Sequence, residues 1–253
     1  MPDHRVFHPP LASPAAELRL SAEESHHLVT VNRARAGDPV TAFDGTGTEW
    51  TCSLADANRR AAVLRVETTR IASRPAGAIT LVQSLPKGGV MDDIVRHATE
   101  LGAAAIEPVV STRTQVHLDG HRSDKKTDKW RTTALEAAKQ CGTPFLPVIG
   151  PVRSLVEWLA AQPADDATLL LIASLHPGAK SLKTVLSDWR AAHAGASPAA
   201  AVWLVGPEGD FTPEEIATLT TAGYRPVTLG PLVLRCDTAA TCALSILRHE
   251  LAG

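Results

Sequence analysis

The sequence predicts an α/β protein with a mostly parallel sheet, preceded by a smaller domain of short strands. Short extended segments fill the first 72 residues, whereas strands and helices alternate from Ile79 onwards. The polar stretch Arg70–Gly77 separates the two patterns and has the composition of a linker. Because alternating strands and helices are typical of a parallel sheet covered on both faces, we expect domains at residues 1–72 and 77–253.

The N-terminal pattern indicates a strand meander with one helix. Ser21 and Glu24 have the spacing of a capping box, which predicts a helix running to about Arg33. A turn is expected at Asp44-Gly45, and the last three strands form a meander that can close as a small barrel. The expected strands are Val6–Phe7, Leu18–Leu20, Val40–Phe43, Glu49–Leu54 and Ala61–Val66.

The remainder of the chain predicts a parallel sheet with covering helices. Apolar residues from Met91 to Leu101 recur at helical spacing between two apolar strands. The polar and charged residues 117–128 are predicted to form a solvated loop. The expected strands are 79–83, 104–110, 146–149, 168–173 and 201–205, and the expected helices are 91–101, 130–140 and two that begin at Ser154 and Ser181.

A glycine-containing loop follows the strand that ends at Val205. Gly206 and Gly209 allow a ligand to approach the backbone, although the glycine content alone favours an ordinary turn. Thr212 and Glu215 then predict a capped helix start, with proline between them. Parallel sheets bind ligands beyond the carboxyl ends of their strands, so this loop is a candidate binding segment.

A second candidate segment is Leu229–Leu247. It begins at the end of a short strand and continues through the apolar loop Leu232–Leu234 to the cation Arg235. We expect this loop to be buried by a ligand or by the rest of the fold. Asp237 or Thr238 is expected to cap a helix whose small face, containing Ala239 and Ala243, permits close packing.

Several function classes lack support in the composition and motifs. The net charge of −2 gives no global attraction for a polyanion, so nucleic-acid binding requires a local patch. Residues 1–75 contain nine arginines and no lysine, which suits phosphate contacts but equally reflects a GC-rich genome. No phosphate-binding glycine motif is present. The N-terminus has no signal-peptide pattern and no apolar run is long enough to span a membrane, so we expect a cytoplasmic protein.

Metal and thiol chemistry are also weakly supported. His117 with His121, and the adjacent His26-His27, lack the partners of a metal site, and no metal is expected. The four cysteines form no C-x-x-C pair. Cys236, beside Arg235, is better explained as a small core residue.

The two C-terminal segments resemble a known family. Residues 206–215, GPEGDFTPEE, and residues 229–240, LGPLVLRCDTAA, are similar to the paired motifs of the RsmE family. The resemblance extends over almost the whole chain. Further similar segments are His27, Asp44-Gly45, Pro86-Lys87-Gly88, Ala98–Gly102, Arg113, Trp130 and Glu136–Gln140.

The resemblance implies a fold and a reaction. It implies a knotted parallel-sheet methyltransferase domain of the SPOUT type, preceded by a small PUA-like β-barrel domain for RNA binding. The family uses S-adenosylmethionine, needs no metal, works as a homodimer and methylates N3 of a uridine in 16S ribosomal RNA. Alternatives are a SPOUT methyltransferase with another RNA target and a non-catalytic RNA-binding or ribosome-assembly protein.

The resemblance also implies site residues. Arg235 is expected to stabilise negative charge on the uracil oxygens, and Asp237 or Glu208 to accept the N3 proton. A salt bridge from Arg235 to Asp237 that only shapes the loop is the alternative. The expected methyl-donor contacts are Val205, Gly206, Glu208, Gly209, Leu229, Gly230, Val233, Leu234, Thr238 and Ala239. The expected RNA contacts are Arg33, Arg35, Arg65, Lys87 and Arg113.

Five positions depart from the family pattern. The family has arginine at Leu232 and Thr143, glutamate at Asp237 and Thr112, and a basic residue at Val90. Asp237 keeps the negative charge on a shorter side chain. We expect the other four changes to alter contacts with RNA or with a partner subunit.

Overall fold

The computed structural model describes residues 4–116, 120–162, 165–176 and 178–251. The chain divides into two compact units, which are described separately. The first unit comprises Met1–Arg74 and Leu135–Leu146, and the second comprises Pro75–Ala134 and Pro147–Gly253.

The sheet of the first unit has five strands in the order β1-β3-β4-β5-β2. Strands β1 and β3 are parallel, whereas the other neighbours are antiparallel. The sheet is a curled half-barrel that contains the predicted meander β3-β4-β5. The strands are β1 (Arg5–Phe7), β2 (Glu17–Arg19), β3 (Pro39–Phe43), β4 (Thr48–Asp56) and β5 (Val63–Ile71).

The helix predicted to run to Arg33 is shorter than expected. Helix α1 covers Ala22–His26, and a π-helical turn, His27–Val31, follows it. Ser21 caps the helix by accepting a hydrogen bond from the backbone N–H of Glu24. The Glu24 carboxylate accepts instead from the backbone N–H of Phe7 at 3.0 Å, so the predicted capping box is wrong. Arg33 adopts a φ of +58°, which no right-handed helix can accommodate.

The sheet of the second unit is parallel throughout its described pairings. Its strand order is β11-β13-β10-β12-β6-β7-β8, and β9 pairs with β7 beside this path. The strands are β6 (Ala78–Ser84), β7 (Ala105–Val110), β8 (Val148–Ile149), β9 (Arg153–Ser154), β10 (Thr168–Ala173), β11 (Lys180–Ser181), β12 (Ala200–Val205) and β13 (Arg225–Thr228). The helices are α2 (Val90–Glu100), α3 (Gly120–Cys141), α4 (Leu155–Ala160), α5 (Leu182–Ala192), α6 (Pro213–Thr221) and α7 (Cys236–Leu251).

Helices cover both faces of this sheet, as the alternating pattern predicted. Leu81 and Trp203 point to one face, where they join a core formed with α2, α5 and α7. Their chain neighbours Val82 and Leu204 point to the other face and pack with α4 and α6. Because successive residues of a strand point to opposite faces, these apolar strands are buried on both sides.

The prediction of a solvated loop at residues 117–128 is wrong from Gly120 onwards, where α3 begins. Residues 117–119 lie outside the described part of the chain. Thr127 and Trp130 are buried, whereas the outer surface of the helix carries charges such as Arg131 and Asp128, which pair at 2.9 Å. Between Arg122 and Lys129, Thr127 is the only buried side chain, so this first part of the helix has no apolar periodicity.

Helix α7 begins at Cys236, earlier than the predicted caps Asp237 and Thr238. Asp237 therefore occupies the first turn, where the helix dipole favours a carboxylate. The small residues Ala240 and Ala243 are fully buried, and α7 packs on α2, β6 and β12 of the same chain. Among the described residues, no helix is both long and apolar enough to cross a membrane.

Candidate active site

The carboxyl ends of four neighbouring strands surround a cavity in the second unit. Strands β13, β10, β12 and β6 lie side by side and parallel, so their ends meet at one edge of the sheet. The segments after them enclose about 350 Å³, within the range of small-molecule sites. Both loops singled out in the sequence, after β12 and after β13, contribute to the wall.

The loop after β12 is held by hydrogen bonds from neighbouring strand ends. The backbone N–H of Lys87 donates to Glu208 Oε1 at 2.8 Å. Arg113 Nη1 donates to the carbonyl of Gly209 at 2.8 Å. A side chain at Gly209 would bring its Cβ to 3.2 Å from Arg113 Cβ, so glycine permits this close approach. Phe211, which is fully buried, anchors the end of the loop.

The helix after this loop starts as the sequence predicted. Thr212 accepts from the backbone N–H of Glu215, whose carboxylate accepts in return from the N–H of Thr212. Glu215 also accepts hydrogen bonds from the backbone N–H and the hydroxyl of Thr112. Thr112, one of the departures from the family pattern, thus fixes the end of β7 to the start of α6.

The loop after β13 is far more exposed. Leu229, Leu232, Val233 and Leu234 all line the cavity. Nevertheless, the side chain of Leu232 is 72% exposed and that of Val233 is 83% exposed. The described part of the chain therefore does not bury the tip of this apolar loop, and only a group from outside the chain could cover it.

Arg235 and Asp237 lie together at the cavity wall. Arg235 Nε is 3.8 Å from Asp237 Oδ1, and the arginine side chain is 80% exposed. The guanidinium donates no hydrogen bond within the described residues, and Asp237 Oδ1 is buried without a hydrogen-bond partner there. A distance of 3.8 Å makes this a loose ion pair that leaves the guanidinium available for a ligand.

Cys236 connects the two loops. Its thiol donates to the carbonyl of Gly206 with a separation of 3.4 Å. Burial, reinforced by the negative charge of Glu208, raises the pKa of the Cys236 thiol to about 11. The thiol is therefore protonated at neutral pH, and its position indicates packing and hydrogen bonding rather than nucleophilic attack.

The remaining candidate residues divide by location. Of the proposed donor contacts, Val205, Gly206, Glu208 and Ala239 line the cavity, whereas Gly209, Gly230 and Thr238 lie outside its wall. Sequence reasoning missed several wall residues that follow or end strands β6 and β10, although the rule about strand ends applied to them too. Those at β6 and β10 are Pro86, Val90, Ala173, Ser174 and Leu175. Pro207 and Asp210, in the loop after β12, and Val227, in β13, also line the cavity and were missed.

The predicted RNA contacts also differ in their surroundings. Arg33, Arg35 and Arg65 are exposed on the first unit, and their guanidinium groups make no ion pair with a described residue. Lys87 is exposed on the second unit. Arg113, by contrast, uses its side chain to hold the loop at Gly209.

No group of three or more histidine, cysteine, aspartate or glutamate residues within the described part of the chain is arranged to hold a metal ion. His117 lies outside the described residues, as does the side chain of His121.

Known proteins share this organisation. The RNA methyltransferase domain family matches residues 72–248, and the RNA methyltransferase PUA domain family matches residues 20–67. The ribosomal RNA small subunit methyltransferase E of Mycobacterium bovis is 36% identical over 231 residues, which cover 89% of this chain and 83% of that protein. The Synechocystis enzyme of the same name is 31% identical, with 91% and 72% covered. The chain belongs to the ribosomal RNA small subunit methyltransferase E family.

Solved structures agree with this assignment. A methyltransferase E from Neisseria gonorrhoeae bound to S-adenosylmethionine has a TM-score of 0.85 and 30% identity, covering 97% of this chain and 96% of that one. A Legionella pneumophila protein in complex with the same cofactor has a TM-score of 0.83, with the same identity and coverage. These matches confirm the predicted parallel-sheet methyltransferase fold with an N-terminal PUA domain, which this chain shares with methyltransferase E.

Proposed function

We propose that this protein transfers the methyl group of S-adenosylmethionine to N3 of a uridine in 16S ribosomal RNA. The observation that carries the proposal is the single cavity walled by both methyltransferase E motifs, with Arg235 at its wall and largely exposed. The solved relatives that bind S-adenosylmethionine support the choice of donor.

The cavity has the chemistry that this donor requires. Val205, Leu229 and Leu234 supply apolar surface for a purine, and the loops supply backbone groups for its polar edge. The wall also carries the carboxylates of Glu208, Asp210 and Asp237. Carboxylates suit ribose hydroxyls and a positively charged sulfonium. When bound, the donor supplies an electrophilic methyl group without the help of a metal.

Arg235 is proposed to stabilise charge on the uracil ring. N3 of uridine carries an imide proton at neutral pH, and its removal spreads negative charge onto the ring oxygens. A guanidinium stays protonated and donates in two directions, so it can bind these oxygens but cannot remove the proton. The exposure of Arg235 leaves those donors available.

Asp237 is the better placed of the two proposed proton acceptors. Glu208 Oε1 already accepts a hydrogen bond from the backbone of Lys87. Asp237 Oδ1 accepts no hydrogen bond from a described residue, and its nearest cation, Arg235 Nε, lies 3.8 Å away. A carboxylate oxygen without a competing hydrogen bond is freer to accept the imide proton, directly or through water.

The two predicted domains are proposed to divide the work. Residues 1–72 form the PUA-like domain, whose exposed Arg33, Arg35 and Arg65 contact RNA phosphates. Residues 77–253 form the methyltransferase domain, in which Lys87 adds a further RNA contact. In this proposal methyl transfer belongs to the second domain alone, whereas both domains contact RNA.

The chain path supports the proposed trefoil knot. Strand β13 lies beside β10 on the side away from β12, yet α7 returns to pack on β12, β6 and α2. On its way, Cys236 passes within hydrogen-bond distance of the loop after β12. Such a return across neighbouring loops is the kind of path that a knot requires, although knots are rare in proteins.

A homodimer is proposed because the apolar loop after β13 remains exposed. Leu232 and Val233 present adjoining apolar side chains to solvent, and a second copy of the chain would remove them from water. We further propose that the protein acts in the cytoplasm on the small ribosomal subunit or its precursor.

The reaction is tested with labelled S-adenosylmethionine and small subunits lacking the modification. We expect label at N3 of a single uridine of 16S RNA. Label on a ribose, or on another RNA alone, would contradict the proposal. Thermal unfolding with and without donor tests binding separately, because a ligand that binds only the folded state raises the melting temperature. Stabilisation without transfer to any RNA would instead support a non-catalytic protein.

A further inference from the structure

A second, smaller cavity lies next to the donor cavity in the methyltransferase unit. It occupies about 80 Å³ between the loop after β6 and helix α3, and Pro86 lines both cavities. Its wall combines the loop glycines Gly88 and Gly89 with Lys126 and Lys129 of α3. The remaining wall residues are Leu85, Met91, Asp92, Val116 and Trp130.

Lys126 lacks a counter-charge in this wall. It is half-buried and makes no ion pair or hydrogen bond with a described residue. Lys139, further along the same helix, is buried too but pairs with Glu24 and Glu136. Removing an ammonium group from water is costly unless a partner compensates it. The cavity at Lys126 therefore suits an anion.

The surrounding charges favour the same kind of ligand. Lys129 pairs with Asp92 across the cavity wall and remains largely exposed. The first part of α3 carries more basic than acidic side chains. The basic ones are Arg122, Lys125, Lys126, Lys129 and Arg131, and the acidic ones are Asp124 and Asp128.

The glycine loop leaves its backbone accessible on the other side. A Cβ at Gly88 or Gly89 would meet nothing within 4 Å. Gly89 has a φ of −94°, which any residue adopts, so neither packing nor backbone conformation demands glycine there. A missing side chain at this position opens the backbone N–H groups to a small ligand, as in other anion-binding loops.

We propose that this cavity binds a phosphate group of the RNA backbone close to the target uridine. This inference rests on the proposed function, because it is RNA held at the neighbouring donor cavity that brings a phosphate here. Lys126 supplies the compensating charge, and Lys129 reinforces it. The shared Pro86 places the phosphate subsite directly beside the reaction site.

The test compares Lys126→Gln with Lys183→Gln. Lys183 is exposed on α5 of the same unit, and it forms no ion pair with a residue that the structure describes. Affinity for unmodified small subunits is measured at several salt concentrations. Because each phosphate contact contributes about 0.7–0.9 to the slope of log K against log salt, Lys126→Gln should reduce the slope by roughly that amount. Lys183→Gln should leave it unchanged, and Lys126→Arg should restore most of it.

Two controls keep the test specific. The donor affinity of Lys126→Gln should match that of the wild type, and its melting temperature should be equal or higher because an uncompensated charge is removed, which excludes a general loss of structure. An unchanged slope, or an equal loss with Lys183→Gln, would overturn the proposal. If Lys126→Gln weakened the binding of inorganic phosphate but not the binding of small subunits, the cavity would not be an RNA site. If the wild type fails to methylate N3 but the slope still depends on Lys126, the proposed function fails and the phosphate site stands.

Discussion

The two loops that wall the donor cavity are built in opposite ways. The loop after β12 accepts hydrogen bonds from Lys87, Arg113 and Cys236, which belong to three other segments. The loop after β13 has only local hydrogen bonds at its start among the described residues, from the hydroxyl of Thr228 to the carbonyl of Gly230 and from the backbone N–H of Gly230 back to that hydroxyl, and it exposes Leu232 and Val233. One wall is thus fixed by the fold itself, whereas the other is incomplete without something outside the chain.

This difference separates binding from chemistry. A wall held by many hydrogen bonds is preorganised, so a ligand loses little free energy in ordering it. An exposed apolar wall gains most when a ligand or a second subunit covers it. We expect changes in the fixed loop to alter donor affinity, and changes at the exposed side chains of the other loop, such as Leu232 and Arg235, to alter assembly or turnover.

The largest effect is expected at Arg235, in the exposed loop. Arg235→Ala should lower turnover about 10²–10³-fold, as for the loss of other groups that stabilise a developing negative charge. Donor affinity should change little, because the side chain is largely exposed and only loosely paired. Single-turnover kinetics and donor titration measure the two quantities. Unchanged turnover would mean that Arg235 has no role in the reaction and only shapes the loop through its ion pair with Asp237.

The apolar tip of the same loop should control assembly. Leu232→Ser combined with Val233→Ser removes apolar area from both copies of the proposed dimer, and should raise its dissociation constant on the order of a hundredfold. Thermal unfolding of the monomer should hardly move, since both side chains are exposed. Sedimentation velocity over a range of concentrations measures the equilibrium. A monomeric wild-type protein would refute the expectation directly.

The fixed loop is best tested at Arg113. Arg113→Ala removes a hydrogen bond from a charged donor to the carbonyl of Gly209, and should weaken donor binding about ten- to thirtyfold. Arg96→Ala is the matched control, because Arg96 is exposed on α2 and pairs only with nearby Asp93 among the described residues. Calorimetric titration with the donor measures the dissociation constants of both variants. Normal donor affinity with weakened RNA affinity would favour the RNA contact suggested by the sequence.

The smallest effect concerns the thiol that connects the loops. A pKa of about 11 leaves Cys236 with much less thiolate at pH 7.5 than an ordinary cysteine. After allowing for the greater reactivity of a more basic thiolate, its alkylation should be about tenfold slower than that of exposed Cys141 in single-cysteine variants. Because folding raises this pKa, its stabilising contribution is complete below about pH 8.5 and disappears as the pH rises towards 11. Equal alkylation rates would contradict the buried, protonated thiol.

Short sequence motifs predicted those parts of the fold that depend only on interactions between residues close together in the sequence. The start of α6 at Thr212–Glu215 is one example, because its capping box involves neighbouring residues alone. The start of α3 was missed because its buried positions, such as Thr127 and Trp130, are too few to give a periodic pattern. The assignment of Leu135–Leu146 to the first unit was also beyond prediction, since it depends on contacts such as Lys139 with Glu24.

The candidate site shows the same division. Both C-terminal loops were recognised, and they do line one cavity. The hydrogen bonds of Glu208 with Lys87 and of Arg113 with Gly209 join residues far apart in sequence, and no local pattern reveals them. The residue types in the sequence therefore indicated the kind of reaction. Which side chains are free to take part in it depends on contacts that only the three-dimensional structure shows.

Helix α7 has a consequence for the order in which the protein is made. Arg248 donates hydrogen bonds to the carbonyls of Ala76 and Leu101, at the entrance to β6 and the end of α2. Leu251 lies so close to Gly77 that a Cβ there would clash with it. The entrance to the first strand of the methyltransferase unit is therefore bound by a residue that is synthesised 172 positions later. A nascent chain stalled before α7 would leave part of one face of the parallel sheet exposed to chaperones and proteases.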